Sequence, residues 1–171
     1  MKGLGAFLIG MIVVLLLRST ALSPLAARGV VVDVLAFATV FWALRNGAVW
    51  GASFGFMIGL AADLDATHWM GRHALVLSII GYALGRLART LERESARTQL
   101  VLIALAVAVH QAWVVPFELG GLDGLGAGWP YLLGRVFVGA LATAPVGALV
   151  LVVARRLSGR SVFGHALVHP G

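Results

Sequence analysis

The chain has 171 residues, 60% of them hydrophobic and 12% charged, with no cysteine and a formal net charge of +6. A soluble domain carries about 25% charged residues, so a separate soluble domain is excluded, as are a disulfide framework, a thiol nucleophile and a cysteine-held metal. The basic residues fall between apolar runs rather than in one block, which points to membrane orientation and not to nucleic acid.

Six apolar spans follow in chain order. The first runs from Leu4 to Leu17 and is extendable to Leu22. A signal peptide, with Lys2 as its basic start and Ala26-Ala27 behind it, is the lesser reading because a stop and another span follow at once. Ser23-Pro24 joins a helix cap to a proline at the first helical position, which predicts a second span to about Leu44, closed by Arg45-Asn46.

The third span, Gly47 to about Asp65, carries Gly47, Gly51, Gly55 and Gly59 and then Asp63. A spacing of four keeps these positions near one helix face over roughly 24 Å, most of a bilayer's hydrocarbon thickness. Such a stripe predicts the close approach of a second backbone, either inside the bundle or from a partner.

A short polar turn, Ala66 to Arg72, leads to a fourth span from His73 to about Leu87, with a second small-residue pair at Gly81 and Gly85. The charged stretch Arg86 to Arg97 precedes a fifth span from Leu100 to about Phe117. Glu118 to Gly128 reads as a flexible glycine-rich loop holding Asp123, and Trp129-Pro130 opens a sixth span that ends at Arg155-Arg156. Pro116 and Pro145 predict kinks. Residues 1–160 thus form a single transmembrane domain, and 161–171 a short cytoplasmic tail.

Orientation follows from the short loops. With both ends inside, Lys2, Arg45, Arg86, Arg89, Arg93, Arg97, Arg155, Arg156 and Arg160 are cytoplasmic. Arg18, Arg28, Arg72 and Arg135 are outside, and nine against four covers all 13 basic residues. Trp42, Trp50, Trp69 and Trp129 lie near span ends, where aromatic rings sit at headgroup level.

Few polar residues lie at membrane depth. Asp63 reads as a buried acid meeting a basic group on a neighbouring helix, rather than a solvated helix-end acid beside Asp65 and His68, because intramembrane acids face the protein interior. Asp33 reads either as a superficial acid reaching the outer interface, the favoured alternative, or as a buried polar group. His110, followed by Gln111, reads first as hydrogen-bonded packing and second as a proton relay. Arg135 either snorkels outward or pairs with Asp33 or Asp63. Arg72-His73 fits a solvated turn or a ligand contact, and Glu118 and Asp123 are expected to be hydrated. The face Arg86, Arg89, Glu92, Arg93, Glu94, Arg97 is expected to be solvated and to touch anionic lipid headgroups. No phosphate-binding loop, HExxH spacing or nucleophile–base arrangement is present, so no catalytic residue, metal or cofactor is expected.

Gly51-Ala-Ser-Phe-Gly55-Phe-Met-Ile-Gly59-Leu60-Ala-Ala-Asp63 resembles the G-x-x-x-G-x-x-x-G-L-x-x-D pattern of the rod shape-determining protein MreD family. The resemblance continues through Gly71, Gly81-Tyr82, Gly85-Arg86 and His110, over nearly the whole length; the tail Ser161 to Gly171 carries no motif. It implies an all-α integral membrane protein, a six-transmembrane-helix bundle similar to the substrate-binding subunit of energy-coupling-factor transporters. It also implies a non-enzymatic component of the bacterial cell-elongation machinery in the inner membrane. The implied partners are a bitopic MreC-like protein and, less directly, MreB, RodA and the class B penicillin-binding-protein synthase of lateral peptidoglycan synthesis. The alternative is a small-molecule-binding membrane subunit of a vitamin uptake transporter, which would need a roomy polar cavity.

Overall fold

A computed structural model describes residues 2–20, 32–64, 69–91 and 95–158. Among these residues six helices are formed: α1 (Lys2–Thr20), α2 (Val34–Asn46), α3 (Ala48–Asp63), α4 (Arg72–Leu87), α5 (Ala96–Glu118) and α6 (Leu122–Ser158). Two stretches, Ala96–Glu118 and Gly128–Val153, are long and apolar enough to cross a membrane; α1, α2 and α3 are shorter apolar helices.

The bundle is built around α2, which touches each of the other five helices. Its sequence is apolar on nearly every side, and Leu35, Ala36, Val40, Ala43 and Leu44 are buried. Thr39 is fully buried too, and its hydroxyl donates to the Leu35 carbonyl at 2.8 Å, so the polar atom costs little. Ile58, Leu77, Ile103 and Val107 close around α2 from α3, α4 and α5. At one side Trp42 stacks on Phe54 with ring centroids 4.8 Å apart, and Phe7 of α1 meets both rings edge-on.

Several boundaries differ from the sequence-based expectation. The span expected from Ser23 to Leu44 is not one helix: Val32 and Asp33 are non-helical, and α2 begins at Val34 with Asp33 as its cap. Ser23-Pro24 lies outside the described residues, as do Asp65, His68, Arg28, Glu92 to Glu94 and the 161–171 tail. Gly47 is no part of the glycine helix. Its φ of 86° makes it the turn between α2 and α3, a backbone region that favours glycine. Trp42 is buried rather than interfacial, because Phe54 and Phe7 cover it, whereas Trp50, Trp69 and Trp129 are exposed.

The loop expected over Glu118 to Gly128 shrinks to Leu119–Gly121. Gly120 and Gly121, with φ of 88° and 95°, reverse the chain in two residues, and the Gly121 N–H bonds to the Pro116 carbonyl at 2.9 Å. Helix α6 therefore starts at Leu122, and Pro130 lies inside it rather than at its first position. Its 37 residues span about 55 Å, well beyond a bilayer's hydrocarbon core.

Candidate functional site

The small residues of α3 and α4 form one seam, the most extensive helix contact among the described residues. A Cβ added at Gly51 would lie 2.7 Å from the Gly81 carbonyl oxygen, one at Gly55 2.6 Å from the Leu77 carbonyl carbon, and one at Gly59 2.6 Å from the Ala74 Cα. From the other side, a Cβ at Gly85 would lie 2.6 Å from the Gly47 carbonyl carbon. Carbon atoms rest at about 3.5–4.0 Å, so only glycine fits at these positions. The stripe is consumed inside the chain by α4. Of the two alternatives the spacing left open, contact inside the bundle is the one seen here.

The seam delivers Asp63 to the start of α4. One helical turn beyond Gly59, Asp63 is fully buried, and its two oxygens accept from the His73 N–H at 3.2 Å and the Ala74 N–H at 3.1 Å. The His73 ring adds a third bond, Nδ1 to Oδ1 at 2.8 Å. The carboxylate thus caps the N-terminus of α4, where unpaired N–H groups and the helix dipole both favour an anion. Gly71, with φ of 92°, makes the bend that brings that terminus round to it. The basic partner expected for Asp63 is His73, ten residues on across the turn.

Asp33 forms a second buried acid site and does not reach the surface. Its Oδ1 accepts from the Ala36 N–H at 3.0 Å, capping α2, while Oδ2 lies 2.5 Å from His110 Nδ1 and accepts from Gln111 Nε2 at 2.8 Å. Its own N–H donates to the Thr143 hydroxyl of α6 at 2.9 Å. His110 is 3% exposed, and its ring lies 5.4 Å from that of His73 in a tilted edge contact. A contiguous buried row therefore runs Asp63, His73, His110, Asp33 through α3, α4 and α5 to the start of α2.

Arg135 reaches neither acid. Its guanidinium sits 3.4 Å from Gln111 Oε1 and 3.7 Å from Glu118 Oε2, half-buried beside Tyr131. Asp33, His73, His110, Gln111, Glu118 and Arg135 line a cavity of about 160 Å³. Among the described residues, no three histidine or acidic side chains converge as a metal site. The arrangement can tie helices together and hold an ionised group away from lipid. Sequence reasoning singled out neither Thr143 nor the capping role of Asp63. The G-x-x-x-D spacing at Gly59 and Asp63, followed by a left-handed Gly71, was the only local trace of the cap.

The family model for the rod shape-determining protein MreD matches residues 1–118. The chain belongs to that family. The match takes in α1 to α5, and with them the glycine seam, both buried acids and both histidines, but ends before α6; it is shorter than the near-complete resemblance expected. No curated protein matches the chain. No solved structure does either, so the likeness to an energy-coupling-factor subunit rests on no matched fold. Membership makes this a membrane protein of rod-shape determination, and the polar row is the interior of such a protein.

Proposed function

We propose that the chain is a non-enzymatic scaffold of the bacterial cell-elongation machinery, six-spanning in the inner membrane with both termini cytoplasmic. It holds an MreC-type bitopic protein and so supports lateral peptidoglycan synthesis by RodA and the class B penicillin-binding-protein synthase, with MreB in weaker or indirect contact. The family match over residues 1–118 carries this reading. The interior favours it over vitamin capture: Asp33, the buried acid of the polar cavity, is already engaged by His110, Gln111 and the Ala36 N–H. Because α4 covers the glycine face, the partner's helix takes a lipid-facing surface outside the α3–α4 seam.

Co-purification from native membranes in mild detergent, with mass spectrometry of what accompanies the tagged chain, tests the reading. The expected result is an MreC-like protein in near-stoichiometric amount, kept when Leu60 is changed to Ala. Recovery of an ATPase-driven uptake complex, with chain-dependent vitamin accumulation, would replace the scaffold with the transporter subunit.

A further inference from the structure

A second recess adjoins the polar cavity. It is a groove of about 400 Å³ walled by α1, α2 and α6, with Gly10, Val13, Leu17, Phe37, Phe41 and Val146 among its lining. Among the described residues its lining is apolar apart from the Trp42 indole N–H and Thr143, whose hydroxyl is engaged by the Asp33 N–H. Val32 and Val34 line both the groove and the cavity, so the two adjoin there.

The helix directions place the cavity at one end of the groove. Helix α1 runs toward it, from Gly10 through Leu17 to Arg18, which lines the cavity; α2 runs away from Val34 to Phe41, and α6 away from Thr143 to Val150. Seven residues of helix give the groove a length of about 10 Å, two-thirds of one leaflet of a roughly 30 Å core.

The polar end has unfilled capacity. Both contacts of Arg135, at 3.4 and 3.7 Å, are longer than the 2.7–2.9 Å of a good charge-assisted bond. Its Nε is buried with no partner among the described residues, and so is Nε2 of His110. Glu118 keeps a third of its side chain exposed opposite. With Arg18 also in the lining, the loosely held Arg135 and the accessible Glu118 side by side at the head of an apolar channel match an amphiphile whose head carries both signs. A partner's transmembrane helix, 10–12 Å across, would cover the groove and leave these groups unmatched.

We propose that groove and cavity together hold one phosphoethanolamine glycerophospholipid. One acyl chain lies in the groove, the phosphate meets Arg135, and the ammonium meets Glu118. This goes beyond the scaffold role, and its test is independent of any protein partner.

The full chain is reconstituted in nanodiscs of phosphatidylethanolamine and phosphatidylglycerol in equal amounts with matched acyl chains. Native mass spectrometry then reads the lipid retained after release. The wild type should keep one phosphatidylethanolamine. Arg135→Gln should lower its retention about tenfold, as expected for a lost charged hydrogen bond. Val146→Trp and Val13→Trp, on opposite walls and both about half exposed, should displace the chain with the fold intact; either one that keeps the wild-type melting temperature suffices. Leu141→Trp, highly exposed and outside the groove, should change nothing. Absence of retained lipid, equal retention of phosphatidylglycerol, or retention unaffected by the tryptophans would overturn the proposal.

Discussion

Substituting Gly55 by Ala is the sharpest perturbation of the seam. The new Cβ would stand 2.6 Å from the Leu77 carbonyl carbon and 3.1 Å from the Ser78 nitrogen, all of it backbone that cannot rotate away. Restoring a carbon contact of about 3.5 Å requires α3 and α4 to part by about 1 Å at mid-seam. The flanking contacts of Gly51 with Gly81 and of Gly59 with Ala74 lie one turn away on either side, so they loosen with it. Overpacking of this kind costs about 1–3 kcal/mol. At about 2–4 °C per kcal/mol for a chain of this size, the melting temperature in detergent should fall by roughly 2–12 °C. Gly55→Leu should fall further or fail to assemble. Leu60→Ala, on the exposed face of the same helix, should shift it by much less. Equal melting temperatures for wild type and Gly55→Ala, measured by circular dichroism, would show that the backbones are not in contact there.

Asp63→Asn keeps the shape but turns an NH₂ toward one of the three donors that the carboxylate accepts, leaving a buried donor unpaired at a cost of about 1–3 kcal/mol; the same melt should register it, and an unchanged curve would remove the capping role. Asp33→Asn combined with His110→Gln should be less destabilising than the sum of the singles, with a coupling of about 0.5–3 kcal/mol; strict additivity would mean that the two side chains do not interact. Single cysteines at Ala127 and Ser161, in a chain with none of its own, report topology: an impermeant thiol reagent on intact cells should label the first and spare the second, and the reverse pattern would invert the proposed orientation.

The glycine stripe was legible because a spacing of four is a local signal, and the helix face it defines follows from geometry alone. The sequence could not say which helix covers it. Gly81 and Gly85 showed only as another small-residue pair, and their pairing with Gly51 and Gly47 depends on how the turn through Gly71 folds back. The Asp33 contacts were out of reach for the same reason: His110 is 77 residues away and Thr143 is 110. The valines before Asp33 read as an unbroken span, yet the carboxylate bonds the Ala36 N–H and sets the helix start there. Glycine-rich Leu122 to Gly128 reads as loop on propensity, at about 1 kcal/mol per glycine, but the two glycines before it already complete the turn.

Cell shape after removal of the chain tests most directly whether it serves rod shape as a membrane scaffold. Deletion in its native host should turn rods into rounded cells. Expression of the wild type or Leu60→Ala should restore the length-to-width ratio, and Gly55→Leu should not. Cells that remain normal rods without the chain, while losing uptake of a vitamin, would contradict the account.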